Sequence, residues 1–286
     1  MFSIDDFSIQ TMIYESGHSQ VFRGRRVQDG LPVIIKTPSS PSFSVRENLR
    51  YQHEYNLLVS AHLSRIVQVH DLVQYRSGFA IIEEDYGACD LGQWLEGKSL
   101  ALPEFLVVAI QMAEGLAQIH DQRIIHKDLN PANVLIHPET LEVKLTDFGL
   151  STLIGVETQE VCAPELIEGT LPYVSPEQTG RMNRAIDYRT DLYSLGICYY
   201  QMLTGSPPFV TSDPLEMVHC HIARPPVSLS VLNATIPQAL SGLVMKLLEK
   251  KAEDRYQSAS GVMQDLLALQ NAIHGDEPLH SIFKFL

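Results

Sequence analysis

At 286 residues, with 45% hydrophobic and 19% charged side chains, the chain is long enough for one large domain or two lobes sharing a cleft, and can bury a sizeable core. Its 34 acidic residues against 21 basic ones leave a formal charge of −13, which argues against a nucleic-acid partner but not against an anionic nucleotide, because a metal can bridge acids to phosphate. The cysteines, Cys89, Cys162, Cys198 and Cys220, form no CxxC pair, so neither a zinc site nor a disulfide framework is indicated.

The first 85 residues alternate apolar and polar positions over Phe7 to Ile13, Val21 to Arg26, Pro32 to Lys36, Ile66 to Leu72 and Phe79 to Glu83. These read as antiparallel strands, broken by turns at Gly17, Asp29-Gly30 and Ser77-Gly78. Between Val45 and Leu63 the period becomes helical, with Tyr51, Glu54, Tyr55, Leu58 and His62 near one face. The acidic start, MFSIDDFSIQTMIYES, lacks the basic region of a secretory signal, and no apolar run approaches membrane-spanning length. Free thiols in a cytoplasmic protein with no membrane span are therefore expected.

From Leu91 the pattern is mostly helical. Pro103-Glu104 opens a long buried helix continued by Leu106, Ile110, Ala113, Leu116, Ala117 and His120. It leads into HKDLNPANVLIHPETLEVKLTDFG, His126 to Gly149. Short apolar runs flank a turn at Pro138 to Thr140, predicting a hairpin that returns Asp147 beside Asn133. A loop of roughly thirty residues then reaches Ser175-Pro176-Glu177, and helices are predicted around Asp191 to Leu203, Leu215 to His221, Pro237 to Lys250 and Ser258 to Ala272. His219 and His221 are the closest histidine pair, a weak metal signal without a third ligand. The predicted class is α+β, with an N-lobe at 1–83, a connector at 84–90 and a helical C-lobe at 91–286. Lys36 ends the apolar strand VIIK, where it is either an edge residue or a buried charge paired to Glu54.

Seven motifs in order carry a resemblance over about Phe7 to Leu269: VIIK, YQHEYNLL, HKDLNPAN, LTDFGLS, GTLPYVSPE, DYRTDLYSLG and EDRYQSA. Together they resemble the protein kinase family, and within it the kinase domain that opens large bacterial signalling proteins continuing into an ATPase module and a sensor histidine kinase. The resemblance implies a two-lobed protein kinase fold, with a small β-rich lobe carrying one main helix and a larger, mostly α-helical lobe. On that likeness the chain is one domain of a longer polypeptide, and the closing HSIFKFL fits a cut boundary.

The implied reaction is transfer of the γ-phosphoryl group of ATP, with Mg2+, to a hydroxyl of a protein substrate. Lys36, paired to Glu54, then contacts the α- and β-phosphates; Asn133 and Asp147 hold metal; Asp128 handles the substrate proton. Ser16, Gly17, Ser19 and Val21 fall in the phosphate-covering segment, Ile34 and Leu135 sandwich the base, and the backbone between Glu84 and Tyr86 meets its polar edge, in a register EED leaves open. Glu177 and Arg255 are expected to form a buried ion pair, Asp191 to cap catalytic-loop amides, and Leu58, His126 and Phe148 to stack in an apolar column.

Three departures accompany the likeness. The family's GxGxxGxV becomes YESGHSQV, with Tyr14, Ser16 and Ser19 at the glycine positions, which implies weaker or differently shaped nucleotide binding. Lys127 replaces an Arg that in the family pairs with a phosphorylated residue; Lys is a poorer bidentate partner, so activation by loop phosphorylation is less expected, with Ser151, Thr152 and Thr158 as its remaining candidate sites. Asn130 stands where serine/threonine members carry a Lys on the γ-phosphate, so a positive charge is missing near the catalytic residues. Pro131 and Thr170 still match the serine/threonine group. A serine/threonine kinase is thus the leading reading; a nucleotide-binding pseudokinase or regulatory interaction module and, less favoured, a small-molecule kinase are the alternatives.

Overall fold

The computed structural model describes residues 4, 6–16, 19–39, 45–59, 61, 63–76, 78–153, 169–182 and 184–275, apart from the side chains of residues 46 and 274. Gly17, Ser77, Thr158 and Cys162 lie outside them, as does His62. The chain forms two compact units, one of Met1–Ala88 with Thr146–Gly149, the other of Cys89–Leu145 with Leu150–Leu286.

In the first unit, β1 (Phe7–Glu15), β2 (Ser19–Arg26), β3 (Pro32–Pro38), β4 (Val69–Tyr75) and β5 (Gly78–Glu84) form one antiparallel sheet in the order β1-β2-β3-β5-β4. Strand alternation sends Phe22, Val33, Ile35, Ala80 and Ile82 to one buried cluster with Tyr75. Ile34, Lys36, Ile81 and Glu83 occupy the other face, which α1 (Val45–Leu58) approaches. α1 stops five residues before the predicted end. Ala61 N–H donates to the Leu58 carbonyl in a turn, and the Gln68 carboxamide donates to the Leu63 and Ile66 carbonyls at 3.1 and 3.3 Å. Ile66 and Val67 are consequently buried in a turn-rich connection, and β4 begins only at Val69.

The second unit contains β6 (Cys89–Asp90), α2 (Leu91–Leu95), α3 (Leu102–Asp121), β7 (Ile124–Ile125), β8 (Val134–Ile136), β9 (Val143–Leu145) and β10 (Thr152–Leu153). The helices α4 (Arg189–Thr204), α5 (Pro214–Ala223), α6 (Leu229–Leu232), α7 (Gln238–Leu247) and α8 (Ala259–His274) complete it. By length and composition α3 does reach what a membrane span requires, contrary to the reading from apolar runs. Its Phe105, Leu106, Val108, Ala109, Met112, Ala113, Leu116 and Ile119 are buried, and α8, α4, β7 and β9 pack on it. The predicted hairpin forms, with Val134 opposite Leu145 and Ile136 opposite Val143. On α4, Gly196 admits α7 closely, since a Cβ there would sit 2.8 Å from the Leu247 Cβ.

Candidate active site

Two polar constellations emerge, one in each unit. In the first, the Lys36 Nζ donates to both carboxylate oxygens of Glu54 and to Oδ1 of Asp147, each at 2.9 Å. Lys36 and Glu54 are 7% and 1% exposed, so the edge-residue reading of Lys36 is excluded, whereas the Asp147 side chain is 41% exposed. Burial alone would push the Lys36 ammonium down, but the carboxylates of Asp147, Glu54 and Glu83 hold it well above its ordinary value. Glu54 Oε1 also accepts the Phe148 N–H at 3.1 Å, tying α1 to the Asp-Phe-Gly segment. Asp147 itself has φ of 62°, a left-handed backbone that Asp tolerates better than most residues.

Around this cluster, Val21 pairs with Lys36 across β2 and β3, and Ile34 is buried. At the β1–β2 turn, Ser16 and Ser19 face each other: the hydroxyls lie 3.3 Å apart and Ser19 N–H donates to Ser16 Oγ at 3.1 Å. In the connector, the Glu84 carboxylate accepts Gln68 N–H at 2.7 Å and Tyr86 is half-buried. Arg23 clamps the intervening Asp85 at 2.7 Å and reaches the Ala88 carbonyl at 3.2 Å.

In the second unit, Asp128 is held on both carboxylate oxygens. Oδ1 accepts Thr170 N–H at 2.7 Å and Asn130 Nδ2 at 3.2 Å, and Oδ2 accepts Asn133 Nδ2 at 3.2 Å. Asn130 adds bonds to the Asp128 carbonyl and to Thr170 Oγ1, both at 3.0 Å, and its own oxygen accepts Ala132 N–H at 2.9 Å. Asn130 is therefore a hub joining the loop to the GTLPY segment. Gly169, with φ of 107°, allows that approach, since a Cβ there would meet the Lys127 carbonyl at 3.3 Å and Asp128 Oδ1 at 3.5 Å. Leu135 is half-buried on β8.

The supporting pairs follow the expected pattern. Asp191, fully buried, accepts the backbone N–H groups of His126 and Lys127, each at 2.8 Å, and contacts His120 Nε2 at 2.9 Å. Arg255 makes a two-pronged pair with Glu177 at 2.7 and 2.8 Å. Burial pushes the Glu177 carboxyl up, but the hydrogen bonds and charge of Arg255 outweigh it and hold the group below its ordinary value. Leu58, His126 and Phe148 are each buried. Lys127 is buried, and its carbonyl accepts Gln178 Nε2 at 2.7 Å.

His219 is exposed while His221 is buried, bonded to the Tyr193 hydroxyl at 3.1 Å and the Leu171 carbonyl at 3.0 Å. Desolvation, helped by Lys250, lowers His221 to about 4, which favours the neutral imidazole; with both of its ring nitrogens already engaged, it serves as an anchor and has no nitrogen left to pair with His219 on a metal. Among the described residues no group of three or more His, Cys, Asp or Glu forms a metal cage. Among the described residues, Cys89, Cys198 and Cys220 form no disulfide. The residue that sequence reasoning passed over is Glu83, 4% exposed on β5. The signal was present: an acid closing the apolar run FAII in a central strand.

The protein kinase domain family matches residues 8–267. A probable serine/threonine-protein kinase of Clostridium perfringens is 36% identical over 184 residues, covering 61% of this chain and 26% of that protein. The serine/threonine-protein kinase PknB of Mycobacterium tuberculosis is 28% identical over 284 residues, 96% of this chain and 44% of that protein. A serine/threonine-protein kinase of Myxococcus xanthus is 31% identical over 287 aligned residues, 95% of this chain and 33% of that protein. The chain thus spans less than half the length of these relatives. With a five-stranded sheet bearing one helix in one unit, helices dominating the other, and a match over most of its length, the chain belongs to the protein kinase domain family.

Proposed function

We propose that this chain is a serine/threonine protein kinase domain that transfers the γ-phosphoryl group of ATP to a hydroxyl on a protein. The observation that carries the reading is the Lys36 ammonium held between Glu54 and Asp147, a buried cation pre-positioned for phosphate. Lys36 then contacts the α- and β-phosphates, with Glu54 fixing its direction.

The substrate oxygen forms a bond to the γ-phosphorus as the bond to the bridging β–γ oxygen breaks; the hydroxyl proton passes to Asp128, and ADP leaves. Asp128 suits this role because amide donors from Asn130, Asn133 and Thr170 fix its carboxylate without neutralising it. Magnesium fits the donor types: a half-exposed carboxylate on Asp147, and the Asn133 side-chain oxygen, left over because Nδ2 serves Asp128. When bound, it supplies charge neutralisation of the phosphate chain.

The class of acceptor is read from Thr170 and Pro131, and further domains of the same polypeptide are the natural partners, since the relatives are longer proteins. Incubation with magnesium and γ-labelled ATP tests the reading. Wild type is expected to label itself or a generic protein acceptor, and Asp147→Ala to reduce this at least about a hundredfold. Absence of transfer by wild type, with nucleotide still raising its Tm, would replace the catalytic reading by that of a nucleotide-binding module.

A further inference from the structure

Glu83 presents a problem that the transfer chemistry leaves unsolved. It is 4% exposed, and its Oε1 has no hydrogen-bond partner among the described residues. Buried polar atoms are nearly always satisfied, so an orphan oxygen calls for a partner from outside the described residues. Lys36 does not serve it, being already bonded to Glu54 and Asp147.

The strand register places this carboxyl. Ile34 is opposite Glu83 and Lys36 opposite Ile81, and directly opposed residues of an antiparallel pair project from the same face. One face therefore carries Ile34 on the base, Lys36 on the phosphates, and Glu83 immediately before the Glu84 to Tyr86 backbone assigned to the base's polar edge.

The charged groups around Glu83 are Lys36 from β3, Glu54 and the Tyr51 hydroxyl from α1, Asp147, and Glu84 on its own strand. β4 opposes it with Val69, whose neighbours His70 and Asp71 are exposed. With one ammonium among three other acids, burial pushes the Glu83 carboxyl up to about 8 despite Lys36. At neutral pH it then offers one O–H donor and one carbonyl acceptor. An adenine edge offers the complement, a 6-amino donor beside the N7 acceptor, whereas guanine presents acceptors at both positions.

We propose that Glu83 is a specificity-determining residue that reads the 6-amino and N7 edge of the bound nucleotide and selects an amino-purine. This rests on the nucleotide reading above. Calorimetric titration of the chain with magnesium and ATP, 7-deaza-ATP (no N7 acceptor) or purine riboside triphosphate (no 6-amino group) tests it. In wild type the preference for ATP over each analogue should exceed that of Glu83→Leu by about tenfold. Glu83→Gln, which keeps a donor and an acceptor in the same shape, should retain the wild-type preference. Preferences that are the same in wild type and Glu83→Leu, or lost equally in Glu83→Gln, overturn the proposal while leaving ATP binding intact. Failure of wild type to bind any of the three overturns the nucleotide reading and this proposal with it.

Discussion

Replacing Glu54 by Ala removes the pivot of the first constellation, and the structure sets the size of the effect. Both carboxylate oxygens lie 2.9 Å from Lys36 Nζ, and Oε1 also receives the Phe148 N–H. Deleting them leaves an ammonium only 7% exposed with a single remaining hydrogen-bonded carboxylate, that of Asp147, and a backbone donor without its acceptor. Breaking a fully buried pair by removing one partner costs about 3–5 kcal/mol, and because Asp147 still holds Lys36 the lower end, about 3 kcal/mol, is expected. Lys36 then turns wholly to Asp147 and loses its direction toward phosphate, which should lower kcat/KM by about 10²- to 10³-fold. Glu54→Gln keeps an acceptor for Phe148 and should lose less stability but nearly as much activity. Urea denaturation at pH 7, with kcat and KM for ATP on the same preparations, measures both. A Glu54→Ala chain within about 0.5 kcal/mol of wild type, and within about threefold in kcat/KM, would show that the pair does not position Lys36.

Arg255→Ala should cost about 3–5 kcal/mol in urea denaturation, because it strands the buried Glu177 carboxylate and the carbonyls of Glu249, Arg189 and Lys250. The Glu177 carboxyl is held below its ordinary 4.5, so its stabilisation is present above about pH 4.5 and is lost as pH falls through the folded value; in the Glu177→Gln variant the urea midpoint should fall less between pH 5 and 3. Asn130→Ala should lower kcat about tenfold with little change in KM for ATP, since the side chain holds Asp128 and Thr170, not nucleotide. Gly169→Ala should act in the same direction, because its φ of 107° disfavours any Cβ and the methyl would press on the Lys127 carbonyl beside Asp128; equal kcat in this variant would remove the role assigned to the turn.

The strands, the long helix and most of the pairing partners were legible because each rests on local periodicity or on a motif whose residues are chemically unusual for their place. Lys36 in VIIK and Glu54 on the buried side of α1 are charges that a core does not accept unless they meet, and they do. The end of α1 and the start of β4 were not legible, because Gln68 satisfies carbonyls that an apolar pattern alone assigns to regular structure. The apolarity of α3 is hidden in the linear sequence for a related reason. Polar residues such as Glu104, Gln111 and Glu114 break its run in the sequence, but on the helix they lie outside the buried face and leave it apolar over twenty residues. Glu83 was passed over because an isolated acid at a strand end normally faces water.

Asn130 shows how one substitution can carry two opposite physical meanings. As charge, replacing a lysine removes a cation from the neighbourhood of the transferred phosphoryl group. As geometry, it adds what lysine lacks: lysine has only donors, whereas the Asn130 amide accepts Ala132 N–H while donating to Asp128 and Thr170. The two contributions separate by what they act upon. On the proposed reading, charge would act on the phosphates and so on both binding and the transition state, while the amide network sets the direction of the Asp128 carboxylate and would act on the proton transfer proposed for it. A loop held by neutral amides has its Asp128 oriented before any phosphate arrives, with no ammonium to be redirected when it does. Because the Thr170 hydroxyl and N–H belong to the same network, the GTLPY segment is fastened to Asp128 by hydrogen bonds. Lys127, at the position that the resemblance gives to an arginine, is buried beside this network, its N–H bonded to Asp191 and its carbonyl to Gln178.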